Sequence, residues 1–576
     1  MESLARGFLS LIVGGVAALA AAGPAAAIDF GPPVTISPPG FEPGPPPAAA
    51  VNASGDLAVG WRGFFRGVFL AYHPRHGSFG SVQRLRGRSL ADLEVTARGE
   101  AIALLTTGNE SSLDTGAAVA LRPAGRGKRF GRPVDITGGR TDVSGLDLDA
   151  NSDGEAVAVW ESAHRVWAAI RSASGSWSAP VGISAASTLG SPVSPRVSVL
   201  PSGAVLAVWA RDGDVEAAVR PVDGSFGAPA TLAHPSGPGF ATIQDLKGVG
   251  SRWGVLIEND EHLQLVERTE AGAFSAPQAI PGPSAEYANH ALALAPDGAA
   301  SVLKTVPLPA AAVCSQAEYT NGQSLATTSR PAGGAFGPDQ LVTPALQPGA
   351  GPSAAVAGNR AIFVWDQPEQ TELEGEGDYS DDTSCAFIDA QPFGADGVPG
   401  QDPGQSAPAA GTGADSTSAE YFFSWPALAT DPGGAAAVAW IHTDERGRNQ
   451  RVRVALVGGG DLGRNPFPDI VSPRVLNLRL SSRRVHPGQP MALRFRLSER
   501  ARVVVTITRW WGKHIAGQFH TQRVLKLRVK RKSGPVTLRF PAPGVRGKHY
   551  SVHLEARDRG GNPSYGGPFD LKFRVR

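Results

Sequence analysis

Between residues 28 and 470 the apolar positions follow neither a helical period nor a simple alternation. They fall in short runs of small residues, each opened by a Gly-turn and closed by Trp. Gly55-Asp-Leu-Ala-Val-Gly-Trp61, Gly154-Glu-Ala-Val-Ala-Val-Trp160, Gly203-Ala-Val-Leu-Ala-Val-Trp209 and Gly434-Ala-Ala-Ala-Val-Ala-Trp440 are the clearest copies. Degenerate copies end at Leu105, Ile257, Lys304 and Trp365, which makes eight. A second anchor follows each first one: Gly, a small residue, an aromatic and often Pro, as in Gly175-Ser-Trp177-Ser-Ala-Pro180 and Gly224-Ser-Phe226-Gly-Ala-Pro229. A third strand lies between the anchors (Val166–Arg171, Val215–Arg220), and a fourth leads into each Gly-turn (Arg196–Leu200).

Four short strands in a unit of about 45–50 residues is the arithmetic of a β-propeller blade. Such a sheet cannot cover both of its own faces, so the units must stack around an axis. The Ala/Val runs suit the inner strands, and the repeated Trp160, Trp209, Trp365 and Trp440 suit the layers between sheets. Phe30-Gly-Pro-Pro-Val-Thr-Ile36 matches a second anchor with no first anchor before it. It is expected to supply the outer strand of the last blade and so remove an exposed edge. Eight copies predict eight blades, with seven left open by the degenerate ones. Late insertions interrupt the repeat at 306–323, 366–382 and 394–419, the last rich in Gly, Ala, Pro, Ser and Asp and expected to be disordered.

From 472 to 576 the pattern becomes strict alternation, the mark of half-buried strands. Leu493, Phe495 and Leu497 alternate with Arg494 and Arg496; Leu525, Leu527 and Val529 alternate with Lys526, Arg528 and Lys530. With strands at 475–480, 501–509, 536–540, 550–556 and 569–575, about seven fill this region, as in an immunoglobulin-like β-sandwich. The fold class expected is therefore all-β, a seven- or eight-bladed propeller (28–470) followed by an immunoglobulin-like sandwich (472–576).

The closing sequence His549-Tyr-Ser-Val-His-Leu-Glu-Ala-Arg-Asp-Arg-Gly-Gly-Asn562 resembles the ending of bacterial immunoglobulin-like modules appended to many secreted proteins. The upstream repeats are similar to propeller regions of secreted actinobacterial proteins. Both motifs are structural, and no activity comes with the resemblance.

Arg6, an apolar run over 7–23 and Ala25-Ala26-Ala27 read as a signal peptide (1–27) that leaves a chain starting at Ile28. An uncleaved anchor is the alternative. The expected location is extracellular or on the cell wall. In such an oxidising compartment the two cysteines, Cys314 and Cys385, read as a disulfide. Charge divides the chain. Residues 471–576 carry 24 Lys and Arg against 4 Asp and Glu, leaving 30 against 48 for the rest.

That excess makes Arg494, Arg496, Lys526, Arg528, Lys530, Arg531 and Lys532 candidates for binding a polyanion, or the acidic propeller itself; export argues against nucleic acid. Trp510 and Trp511 are candidates for stacking on sugar, with edge packing as the plainer role. Asp378, Asp381 and Asp382, in an acidic stretch, offer oxygen ligands to Ca²⁺ without the order of a calcium loop; no other cofactor is indicated. Gly458-Gly-Gly460-Asp-Leu-Gly463 fits a dinucleotide fingerprint in spacing only, and with no helix after it reads as a linker turn. No catalytic signature is present. The sequence favours a secreted, non-enzymatic binding or scaffold protein with a cell-wall polymer or protein partner; the alternative is a polysaccharide hydrolase or lyase using the propeller funnel.

Overall fold

The computed structural model describes most of residues 31–576; the longer stretches outside the description are 1–30, 308–322, 365–426 and 443–450. The leader, both cysteines, Trp365, the acidic stretch with Asp378, Asp381 and Asp382, and the 394–419 insertion lie outside the described residues. Every described regular element is a strand.

Eight small antiparallel sheets follow one another from Val34 to Leu456. The third is typical: Ser144–Ala150, Ala156–Ser162, Arg165–Arg171 and Val181–Gly182 pair in chain order. Seven sheets have four strands, and the seventh is described by two, Ser353–Ala357 and Arg360–Val364. The leading strand of each sheet touches the leading strands of the sheets before and after it. Ala427–Thr430 of the eighth touches Pro43–Val51 of the first, so the ring is closed.

The Ala/Val runs are inner strands, as expected, but not the innermost ones. They form the second strand, paired on both sides and covered on both faces. Only a strand in that situation requires an unbroken apolar run. The innermost strand is the one leading into the Gly-turn; one of its edges is free, so it can carry charge. The turn between them is built alike in six sheets. In the third, Gly154 N donates to Asn151 O (3.1 Å) and Asn151 N to Glu155 O (2.9 Å). Gly154 has φ +90°, a conformation that a side chain would strain.

Trp61, Trp160, Trp209 and Trp253 are fully buried, each against the preceding sheet. Trp160, for example, packs on Ile102, Leu104, Ala117 and Val119 of the second sheet. Ring closure follows the expectation: Val34–Thr35 pairs with Arg451–Leu456 as the outer strand of the eighth sheet (Val34 opposite Val454). Ile36 is buried in the layer between the eighth and first sheets. Leu462, read from sequence as part of a linker turn, is buried in that same layer, and its carbonyl meets His73 Nε2 at 3.2 Å. The segment thus docks on the first sheet rather than merely leaving the ring.

Residues 475–575 form two facing sheets. One is Val475–Leu480, Pro490–Leu497 and Gly534–Pro541; the other is Arg484–Val485, Phe569–Val575, His549–Arg557, Ala501–Ile515 and Gln518–Arg531, in that order. The seven expected strands are all present, and Arg484–Val485 is an eighth. The alternating apolar residues meet in one core, with Leu493, Phe495, Val503, Val505, Tyr550 and Phe573 at its centre. Tyr550 Oη donates to Val545 O (3.3 Å), five residues upstream, as the corner tyrosine of immunoglobulin-type sandwiches does.

Replacing Trp160 by Ala should cost about 3–5 kcal/mol, read as a lower denaturation midpoint by near-UV circular dichroism. A chain starting at Pro38, without the closing strand, should also melt at a clearly lower temperature. An unchanged midpoint would show that the ring does not depend on it.

Candidate functional site in the central channel and on the basic sheet

The innermost strands line the axis of the ring. The register places two positions from each: those opposite the residue before the Trp site, and those two further on. In sheets two to five these are Asp92 and Glu94, Asp147 and Asp149, Arg196 and Ser198, and Asp245 and Lys247. In sheets six, seven, eight and one they are Ala291 and Ala293, Ser353 and Ala355, Ala427 and Ala429, and Ala48 and Ala50. One arc of inner strands is charged at these positions; the other carries small residues, of which Ala50, Ala291, Ala293 and Ala429 are buried between sheets.

Leu93 and Val95 are buried between sheets one and two. Strand alternation therefore turns Asp92 and Glu94 the other way, towards the third sheet. There the aspartates stitch one inner strand to the next. Asp92 Oδ1 accepts from its own neighbour Leu93 N (2.7 Å), and Oδ2 accepts from Leu148 N in the following sheet (3.2 Å). Asp149 does the same with Ala150 N and Val199 N (both 2.7 Å). Asp245 does so with Leu246 N and Leu292 N (both 2.9 Å). Asp147 accepts from Val197 N (2.7 Å) and pairs with Arg196 (3.6 Å). Each bond satisfies an amide on a free strand edge that no backbone partner reaches.

Glu94 makes no such stitch among the described residues. Its carboxyl is held well above the usual carboxylate range by removal from water and then by the nearby Asp149, Asp92 and Asp147. Asp92 is raised likewise, through desolvation and then Asp147. Desolvation also raises Asp147, against the pull of Arg196, and pushes Asp149 up to about 6. Among the described residues no group of three or more His, Cys, Asp or Glu side chains is placed to hold a metal ion.

Sequence reasoning placed a strand before each Gly-turn and named the funnel, but did not single out these carboxyls. The signal was available in the alternation Asp92-Leu-Glu94-Val and Asp147-Leu-Asp149-Ala before the Gly-turns. A second missed repeat is the Arg that ends several of the third strands. Arg171 Nη1 donates to Gly154 O (2.5 Å) and Arg220 Nη1 to Gly203 O (3.3 Å), each tying down its own sheet's turn. Arg122 lies 3.4 Å over the Tyr72 ring.

The seven basic residues singled out in the sandwich do not form one site. Arg494 and Arg496 project from the outer face of the three-stranded sheet, Lys526, Arg528 and Lys530 from that of the five-stranded sheet. Arg531 and Lys532 sit at the turn joining the two sheets. On the five-stranded sheet Lys530, Arg502 and Arg557 stand directly opposite one another across three strands. Arg557 is held by Glu555 (2.6 Å); Arg502, Lys526, Arg528 and Lys530 form no ion pair among the described residues. At the other end of that face Trp510, half-buried, packs on His549 with ring centroids 5.0 Å apart, and Lys572 Nζ lies 5.9 Å from its ring. Trp511 pairs in register with His520.

No protein-family model matches the chain, and no curated protein matches it. Among solved structures it is similar to a fungal alcohol oxidase of the AA5 family in complex with copper, at 12% identity and a TM-score of 0.34, covering 95% of this chain and 100% of that one. It is similar to a PL25 ulvan lyase bound to a glucuronate–sulfated rhamnose unit, at 9% identity and a TM-score of 0.38, covering 59% and 92%. It is also similar to the Aleuria aurantia lectin in complex with fucosyl-GlcNAc, at 13% identity and a TM-score of 0.31, covering 53% and 97%.

The channel makes a prediction about pH. A carboxyl whose folded pKa lies above its unfolded value of about 4 is held protonated more tightly by the folded chain. Its contribution is therefore fully present below about 4 and lost as pH rises through the folded pKa, which is about 6 for Asp149. Glu94→Gln should remove part of that loss and raise the melting midpoint at pH 7.5 by about 2 °C, the shift expected of ~1 kcal/mol in a large domain. The gain should shrink at pH 4. An equal or negative shift at both pH values would contradict the repulsion.

Proposed function

We propose that the chain is an exported, non-catalytic binding scaffold. In this reading the basic sandwich holds an anionic extracellular or cell-wall polymer, and the propeller is a rigid body that presents further sites. The observation that carries it is the row Lys530, Arg502 and Arg557, with Lys526 and Arg528 alongside. Like charges directly opposite in a sheet destabilise it, on the order of 0.2–1 kcal/mol a pair. A polymer bearing regularly spaced carboxylate, sulfate or phosphate groups would relieve that repulsion. Cations two apart on a strand lie roughly 6.6–6.8 Å from each other, and neighbouring strands roughly 4.8 Å. Such a lattice suits a repeating anion better than a single small one. Trp510 on the same face offers a ring to a sugar.

Retention on heparin-agarose tests this directly. Lys526→Glu, Lys530→Glu and Arg528→Glu together should bring the full chain off at much lower salt. They should also flatten the dependence of log affinity on log salt by on the order of one for each cation lost. Retention unchanged by the triple variant would sink the proposal. Export is tested by sequencing the N-terminus of the secreted product, which is expected to begin at Ile28.

One observation favours a second reading, a hydrolase or lyase acting on polysaccharide in the channel. Asp92, Glu94 and Asp149 are biased towards the protonated state that a general acid needs near neutral pH. Turnover of an anionic polysaccharide that is abolished in both Glu94→Gln and Asp149→Asn would establish it in place of the first.

A further inference from the structure

A cleft of about 630 Å³ opens between the first and second sheets, beneath their second-anchor loops. This volume is within the range of small-ligand sites. Two aromatic residues line it: Tyr72, buried under the Arg122 guanidinium, and the half-buried Phe79, whose ring is held at the edge of the cleft against His73 (centroids 5.2 Å apart) and the layer between the eighth and first sheets. Arg122 is held in place, donating through Nη1 to Pro123 O (3.1 Å) and through Nη2 to Gly125 O (2.8 Å) as well as covering Tyr72, while its Nε is buried with no hydrogen-bond partner among the described residues. It therefore fixes the wall rather than offering a free charge. Gln83 locks the two sheets together across the cleft, donating to Phe130 O (2.6 Å) and accepting from Phe130 N (2.8 Å). The walls are held before any ligand arrives.

The rim differs from everything around it. Arg126, Lys128 and Arg129, all exposed on the loop after Thr115–Arg122, line the cleft. None of the three forms an ion pair or hydrogen bond among the described residues, and no carboxylate lines the cleft. They sit in the part of the chain where acids outnumber bases 48 to 30. The corresponding cleft between the third and fourth sheets, about 390 Å³, is an internal comparison. It is lined by Glu155 and Asp223 beside Arg171 and Arg220, and so is balanced in charge.

We propose that the cleft between the first and second sheets binds an acidic sugar, its carboxylate or sulfate group meeting Arg126, Lys128 and Arg129 and its ring face lying on Phe79. Aromatic side chains take the C–H face of a sugar ring, and free guanidinium groups bind carboxylate or sulfate in two-point fashion. Neither element alone would select an acidic sugar over a neutral sugar or a bare anion. The site is independent of the sandwich, so the chain can grip an acidic polymer at two separated places. Its failure would leave the basic sheet untouched.

Calorimetric titration of the full chain with trigalacturonate, with a neutral trigalactoside and with inorganic sulfate separates the outcomes. Trigalacturonate is expected to bind, and the neutral sugar and sulfate each at least tenfold more weakly. In a chain already carrying the Lys526, Arg528 and Lys530 reversals, the combined variant Arg126→Glu, Lys128→Glu and Arg129→Glu should lose that binding, and Phe79→Ala should weaken it about tenfold. Lys128→Gln with Arg129→Gln, a milder change on the exposed loop, should weaken it in between while leaving the melting midpoint in place. The Lys526, Arg528 and Lys530 reversals should leave a trigalacturonate signal from the cleft, since the propeller is unchanged. Affinity unaltered by both loop variants would overturn the proposal. So would sulfate binding as tightly as trigalacturonate, which would mean a simple anion site, and so would equal binding of the neutral sugar.

Discussion

Everything in this molecule depends on sheets too small to cover themselves. Three strands of mostly seven or eight residues and a shorter outer one expose two apolar faces and a free inner edge, and both must be dealt with. The faces are covered by stacking, with a tryptophan at one end of many of the second strands filling the layer beneath it. The edge is a different problem, because the inner strands of neighbouring sheets run side by side without joining into one sheet. Aspartate answers it in sheets two, three and five: one oxygen takes an amide of its own strand, and the other an amide of the next strand. The same carboxylates that join the ring therefore line its axis.

This double use explains the energetics of the channel. Asp92, Asp147 and Asp149 are placed by hydrogen bonding and not by charge balance; Arg196 and Lys247 stand near enough to offset Asp147 in part. Glu94 shares their repulsion without making an inter-strand bond, which marks it as the residue whose charge gives the ring least in return. The sandwich has the opposite imbalance, with cations facing one another across three strands. In both units an apolar core leaves unusual freedom to the surface it does not occupy.

Much of the fold was legible in the residues because it rests on local pattern. The Gly-turns reveal the repeat, since only glycine suits the left-handed corner. Strict alternation reveals the sandwich, whose core is the apolar half of each strand. The ring-closing strand was legible because Val34 and Ile36 belong to a second anchor with no first anchor of its own. Which strand lies innermost was not legible. An apolar run says that both faces are covered; it does not say on which side of the sheet the axis lies. The cleft between the first two sheets escaped notice for a related reason: Phe79 and the Arg126–Arg129 loop lie far apart in sequence and meet only because consecutive sheets stack. The seven basic residues looked like one group in sequence, yet facing sheets of a sandwich turn their polar sides to opposite surfaces.

The closing strand has a consequence for how the protein comes into being. Ser37 Oγ accepts from Val452 N across 415 residues of chain, so the last clasp of the circle joins the beginning of the polymer to a part synthesised long afterwards. A chain made from its N-terminus must carry that strand unpaired while seven further sheets are completed. Until then the stack is an open arc with two uncovered faces. Once the clasp is made, neither the first sheet nor the eighth can peel away without opening the circle.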